Sequence, residues 1–438
     1  MVDILTQKMY NKMYRKRTKL KKDGFMKLSI IVCVYDTPTE KLDKCLDSVY
    51  TSTLRKTKDF EVVLIDDGSH LDYSEILEKY NPVYVKTDNR GHFATRTYGL
   101  MIARGEYVAY LDSDDSVTFN YHRPMLEKAM ECNADIVIND WAFRTDSGCA
   151  YCKSDSTIAC DLDLAGDDIL RQFVKHCGRQ HSYFVLWNKI FKRELLLRAK
   201  AEIEKTDAIM KKITFSEDAL ITFFAFKHAG KLTNIHTGYY LYHIHADQSV
   251  VAGCSEKIKS QVDMICDNFQ IMLENIGENV YAEEIRKNIG EWRNMMSRTH
   301  YSYACGLGDA ELCEYVKERY GVDKPKKATV ADSRDYIASG LLGKNFEGID
   351  TVLRWICKKS GDISVKYDKK DEYVAKSIEY INKKGLANVT CTEPVIIVVP
   401  KREIGLKSKV LHCKLVSLIG LALFPKGSKM RRKLKSSL

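Results

Sequence analysis

No stretch of this 438-residue chain approaches the roughly 20 apolar residues that a membrane-crossing helix needs. The C-terminal run Leu415-Val-Ser-Leu-Ile-Gly-Leu-Ala-Leu-Phe424 holds ten nearly uncharged residues, too few to span a bilayer. A secretory signal peptide is also missing, so the 14 cysteines are expected as free thiols in a reducing compartment. Cys149-Ala-Tyr-Cys152 is followed by Cys160 and Cys177 at irregular spacing with no compact second pair, which argues against a zinc site. Internal repeats and low-complexity tracts are absent as well.

Positive charge is scarce in the middle of the chain. The formal net charge is +10, yet residues 1–27 and 400–438 together carry +17, leaving −7 between them. A nucleic-acid-binding protein would place its cations on the folded face, so no nucleic-acid partner is expected. Basic tails around an acidic body suit an anionic membrane surface. Residues 401–438 read as a tail that lies in the membrane plane, its short apolar run flanked by Lys and Arg. A core helix with a solvated tail is the alternative.

What is abundant is carboxylate at strand ends. The apolar run Glu106-Tyr-Val-Ala-Tyr-Leu111 leads straight into Asp112-Ser-Asp-Asp115. Three carboxylates in four residues repel one another unless a cation sits between them, and oxygen ligands suit Mg²⁺ or Mn²⁺. Phe60-Glu-Val-Val-Leu-Ile-Asp-Asp-Gly-Ser69 delivers a second acidic pair. In open α/β sheets, such strand ends form the edge where ligands bind.

Up to about residue 140 the periodicity alternates: strands at 28–34, 60–65, 83–86, 106–111 and 134–138, and helices near 39–50, 73–79, 93–103 and 119–132. This order predicts an α/β fold with a mostly parallel sheet and helices on both faces. Residues 144–165 lack periodicity and are expected as a loop. Ile258, Val262, Ile265, Phe269, Met272 and Ile276 trace one helical face, and helices are expected to continue through 281–320. A packing role is favoured for them over a partner-binding one. Residues 331–400 read as a small α/β module, with helices at 348–358 and 372–384 and strands at 363–367 and 394–399.

Seven ordered segments resemble family 2 glycosyltransferases of the bacterial surface-polysaccharide type. They are Leu28-Ser-Ile-Ile-Val-Cys-Val-Tyr35 with the turn Asp36-Thr-Pro38, Ile65-Asp-Asp-Gly-Ser69, Asn89-Arg-Gly-His-Phe-Ala-Thr-Arg96, Tyr110-Leu-Asp-Ser-Asp-Asp115, Leu186-Trp-Asn-Lys-Ile-Phe-Lys-Arg-Glu-Leu195, Phe215-Ser-Glu-Asp218 and Tyr240-Leu-Tyr-His-Ile-His-Ala-Asp-Gln-Ser249. The resemblance covers roughly residues 27–250, and the shared order is far more specific than any one segment. It implies a GT-A nucleotide-sugar-binding (Rossmann-like) domain at 27–250, between a basic segment at 1–26 and a helical extension at 251–330.

The same resemblance implies an inverting, metal-dependent transfer of a sugar from a nucleotide diphosphate sugar, UDP-linked by preference, to a glycan or lipid-linked acceptor. Asp114 is then the first choice of metal ligand for Mn²⁺ or Mg²⁺, with Asp112 reaching the ribose or the metal and Ser113 beside it in the donor site. Tyr35, Asp36, Asp66 and Asp67 would face the nucleotide. Arg96 and His245 would face the diphosphate, with His245 a second metal candidate. His243 stands where many relatives carry Arg, which replaces a permanent cation with a group that is mostly neutral above about pH 6.5.

Asp218 is implied as the base, because an alcohol is a poor nucleophile until its proton is removed, with Glu217 beside it. Ser216 would cap the helix that follows. Asp115 and Trp187 are candidate acceptor contacts, although each also suits a structural role. A nucleotidyltransferase is disfavoured because no Gly-rich, Arg- and Lys-bearing loop follows the first strand. A catalytically silent scaffold is the remaining alternative. The expected location is the cytoplasm, at the inner face of the membrane; a homo-oligomer is left open.

Overall fold

The computed structural model describes residues 26–56, 60–145, 150–151, 158, 160–176, 180–206, 215–244, 254–322, 363–366, 387–392 and 395–400. The basic segment at 1–25, His245, Cys149, Cys152, Cys177, the helices expected at 348–358 and 372–384, and the 401–438 tail lie outside the described residues.

Strand β1 (Leu28–Val34) is buried along its length except at Cys33. A parallel strand covered on both faces needs apolar side chains at successive positions, and this run supplies them. Helix α1 (Thr39–Tyr50) turns Leu42, Cys45, Leu46 and Val49 inward at helical spacing. Strand β2 (Phe60–Asp66), helix α2 (Ser74–Tyr80), strand β3 (Val83–Lys86), helix α3 (His92–Ile102) and strand β4 (Tyr107–Asp112) continue the alternation. Each lies within one residue of its expected bounds.

Parallel pairing of β1 with β2 and β4 sets Val34 opposite Asp66 and Cys33 opposite Asp112. Both acidic strand ends therefore reach one edge of the sheet. Helix α3 crosses close beneath it, since a Cβ at Gly99 would stand 2.5 Å from Ile31 Cγ2.

Beyond β5 (Ser116–Val117) and α4 (His122–Cys132), β6 (Ile136–Thr145) runs well past its expected end. The continuation is held by pairing of residues 140–145 with residues 239–244 of a later strand. Next come β7 (Ala150–Tyr151), β8 (Asp163–Ala165), α5 (Asp167–His176), α6 (His181–Phe184), β9 (Lys189–Lys192), α7 (Arg193–Ile203), α8 (Glu217–His228) and β10 (Lys231–Ile244). Among the described residues the sheet has ten strands, in the order β3-β2-β1-β4-β9-β6-β10-β5, with β7 on β6 and β8 on β10.

Two expectations need correction. The sheet is mixed, because β9 is antiparallel to both β4 and β6; it enters from a short turn after α6 without a crossover helix. The expected loop at 144–165 contains the end of β6 together with β7 and β8, which add to strands already present.

Helices α9 (Ser255–Glu274), α10 (Ala282–Gly306) and α11 (Ala310–Tyr320) follow. All six residues of the expected α9 face are buried. One hydrophobic cluster runs from Ile31 and Val63 on the sheet through Phe223 to Phe269 and Tyr320, so the extension packs onto the sheet domain. Arg319 ties α11 to α9 through Asp263 at 3.0 Å and Asp267 at 2.5 Å. A separate antiparallel sheet has β13 (Val395–Pro400) between β11 (Ile363–Lys366) and β12 (Ala387–Thr392), the last not anticipated.

Candidate functional site

The turn after β2 shapes one wall. Asp66 Oδ1 accepts the Ser69 N–H at 2.7 Å and Oδ2 accepts the Tyr84 hydroxyl at 2.8 Å, so this fully buried carboxylate builds the turn. Gly68 sits at φ +87°, a conformation that favours glycine, with its Cα side pressed against the Asn89 backbone. Asp67 accepts the Arg90 and Gly91 N–H groups at 2.7 and 2.9 Å, fixing the entry to α3. Both residues, expected to touch the nucleotide, thus already hold loops.

Asp36 adopts φ 48° and pairs with His70, accepting its N–H at 2.6 Å and meeting its Nδ1 at 2.9 Å. That contact, first of all, holds the Asp36 carboxyl below its usual range. Tyr35 beside it is 48% exposed, available on the open side of this wall.

The tip of β4 forms the floor. Ser113 Oγ lies 2.7 Å from Thr37 Oγ1, joining the tip to the turn after β1. Tyr240 Oη donates to Asp115 Oδ2 at 2.6 Å and accepts the Asp112 N–H at 3.2 Å. Asp115 Oδ1 accepts the His243 main-chain N–H at 2.6 Å. Burial, then the charges of Asp114 and Asp112, push the Asp115 carboxyl well above the ordinary range. Asp115 is therefore a structural group beneath the cluster, not an acceptor contact. Trp187 is corrected in the same way: it is 5% exposed and stacked on Tyr240 with ring centroids 4.3 Å apart, inside the core.

Arg96, expected to face the diphosphate, is buried and gathers three carboxylates. Nη2 donates to Asp112 Oδ1 at 2.8 Å, and Nη1 donates to Glu217 Oε1 at 2.7 Å and to Asp218. His92, one helical turn earlier, brings Nδ1 to 3.5 Å from Glu217 Oε1, a contact that raises its pKa. Burial works against the Glu217 charge, but Arg96 and His92 outweigh it and bring the carboxyl down to about 2. Asp218 goes the other way: burial, only partly offset by Arg96, and the Glu217 charge push it up to about 6. Its Oδ2 accepts the Leu186 N–H at 3.2 Å.

Ser216, expected to cap α8, makes no side-chain cap bond and sits at φ 63°, a left-handed conformation costly for a residue with a Cβ. This strained residue turns the chain into Glu217 and Asp218. His92 and Tyr240 were not singled out from the sequence. Their signals were the spacing of four from Arg96 on one helix face and strand alternation in Tyr240-Leu-Tyr242.

Among the described residues no group of three or more His, Cys, Asp or Glu is arranged to hold a metal. Magnesium sites that carry substrate phosphates commonly use only one or two carboxylates. Asp114 at the half-buried tip and Asp112 through Oδ2 fit that smaller donor set.

The family described as Glycosyl transferase family 2 matches residues 29–194, the stretch that contains both acidic strand ends, Arg96 and the turn before α7. Residues 29–194 are thus similar to family 2 glycosyltransferases. The chain is 32% identical over 199 residues to a protein named cholesterol galactosyltransferase from Borreliella burgdorferi, covering 43% of this chain and 54% of that one. It is 24% identical over 349 residues to the glycosyltransferase GlyA of Streptococcus pneumoniae, covering 75% and 45%. The chain spans about half the length of these two relatives. The crystal structure of S. aureus TarS overlays with a TM-score of 0.45 at 19% identity, covering 75% of this chain and 55% of that one, too loose a likeness to carry an argument.

Proposed function

We propose that this protein transfers a sugar from a nucleotide diphosphate sugar, UDP-linked by preference, to a hydroxyl of a glycan or lipid-linked acceptor in surface polysaccharide or glycolipid synthesis. The observation that carries the reading is the convergence of Asp112, Glu217 and Asp218 on the buried Arg96 at the ligand-binding edge of a family 2 domain. It joins the acidic tip where a donor phosphate would sit to the acid pair where an acceptor would sit.

Asp218 accepts the proton of the acceptor hydroxyl as its oxygen attacks the anomeric carbon. A carboxyl raised to about 6 is a better base near neutral pH than an ordinary aspartate. The bond from the anomeric carbon to the phosphate oxygen breaks, and the nucleotide diphosphate leaves. Attack from the face opposite the phosphate inverts the anomeric centre.

Asp114 and Asp112 would hold Mn²⁺ or Mg²⁺, which offsets charge growing on the leaving phosphate. Tyr35 and the Asp36–His70 pair offer the nucleotide a ring face and a carboxylate edge. Peripheral association with an anionic membrane, through the basic tails, accords with a lipid-linked acceptor; among the described residues no helix is long and apolar enough to cross a membrane. The lipid acceptor named in one relative points the same way.

Thermal-shift titration with a panel of UDP-, GDP- and dTDP-sugars, with Mn²⁺ and with EDTA, tests the reading. A stabilising shift with at least one donor, lost on chelation, is expected. No shift with any donor contradicts it.

A further inference from the structure

Lys189 lies on the central strand β9 and is 1% exposed. An ammonium has three N–H donors, and here all three go to one turn: Ser182 O at 2.6 Å, Val185 O at 2.5 Å and Asn188 Oδ1 at 2.6 Å. Burying an ammonium is costly, and the three bonds it makes here fix the turn that carries them. The turn presents the Leu186 N–H to Asp218 Oδ2 at 3.2 Å. Thr222, one helical turn beyond Asp218 on α8, braces the same turn by donating Oγ1–H to Phe184 O at 3.1 Å. Asn188 adds bonds from Nδ2 to Ser182 O at 3.3 Å and to Asn139 O at 3.4 Å.

We propose that Lys189 is a positioning residue for the transfer reaction: its buried ammonium clamps the 182–188 turn so that the Leu186 amide holds the Asp218 carboxylate. The inference rests on the reading of Asp218 as the base. Arg96 grips one oxygen of that carboxylate and the Leu186 amide grips the other, which fixes its plane. With the turn slack, the carboxylate loses a donor that favours its charged form, so its pKa rises and its plane is free to swing about the Arg96 contact. Neither effect touches the nucleotide wall formed by Tyr35, Asp36 and the 66–69 turn.

The test compares wild type, Lys189→Met, Lys189→Arg, Thr222→Val and Asp218→Asn, all as the full chain. UDP release is measured from the UDP-sugars of the donor panel across pH 5 to 9, with melting curves for each variant. Lys189→Met is expected to lower kcat about tenfold or more with donor KM within about threefold, and to move the acid limb of the pH profile upward by half a unit or more. Thr222→Val should move the limb in the same direction by less. Lys189→Arg should recover part of the loss.

A Lys189→Met variant that melts lower yet keeps the wild-type kcat and acid limb overturns the proposal, while Asp218→Asn, still inactive, leaves the base assignment standing. If Lys189→Met does not fold, unchanged acid limbs in both Lys189→Arg and Thr222→Val overturn it equally. Full turnover by Asp218→Asn would remove the base assignment itself.

Discussion

Arg96 Nη2 donates to Asp112 Oδ1 at 2.8 Å, which ties the acidic end of β4 directly to the guanidinium that also holds Glu217 and Asp218. Residues 112 and 218 lie more than 100 positions apart in the sequence. One buried cation makes them a single site and keeps three carboxylates close without mutual expulsion.

That arrangement predicts a large cost for losing the cation. Arg96→Met leaves buried carboxylates without their partner, and removal of one side of such a network typically costs about 3–5 kcal/mol. Arg96→Lys should not restore the wild type, because an ammonium lacks the planar fork that serves three acceptors. Chemical denaturation reads both; a loss below about 1 kcal/mol in Arg96→Met would mean the network is not held this way.

Asp114→Asn should abolish transfer with little change in melting temperature, since it removes one charge from a self-repelling cluster at the strand tip. EDTA should stop the wild-type enzyme and added Mn²⁺ should restart it. Near-normal turnover in the variant or in chelator would dismiss the metal role.

Asp218→Asn should lower turnover by roughly 10² or more while donor binding changes little. Because the base acts only as the carboxylate, and burial with the Glu217 charge raises Asp218 to about 6, wild-type activity should climb as pH rises through about 6 and level off above it. An acid limb near pH 4 would assign the titration to a different group.

Deleting residues 404–438 should release the protein from anionic vesicles and leave activity on a soluble acceptor analogue. The attraction is electrostatic and short in range, so wild-type binding should also weaken as salt rises. Sedimentation with vesicles at low and high salt checks both; equal binding by both forms would move the contact to the N-terminal cations around Arg15 to Lys22.

The parallel half of the fold was legible because its signals are local. Apolar runs such as Leu28–Val34 and the helical spacing of Leu42, Leu46 and Val49 need no partner to be read. The α9 face from Ile258 to Ile276 was legible for the same reason. The antiparallel entry of β9, the length of β6 and the strands inside 144–165 were not, since each depends on pairing with distant residues. In the site, the acidic positions stood out as charge at the ends of apolar strands. The division of labour among them did not: Asp115 looks like Asp112 in sequence, and only burial beside Tyr240 makes it structural, while Asp66 and Asp67 both turn out to hold loops. Arg96 as a buried hub depends on a contact 121 residues away in the chain.

Turnover with a nucleotide sugar tests the central claim most directly. UDP release and the anomeric configuration of the product, followed by NMR with the donor panel and a hydroxyl acceptor, should show Mn²⁺- or Mg²⁺-dependent transfer with inversion, lost in Asp218→Asn although the donor still binds. Donor turnover in Asp218→Asn equal to wild type, or a product with retained configuration, would contradict the account.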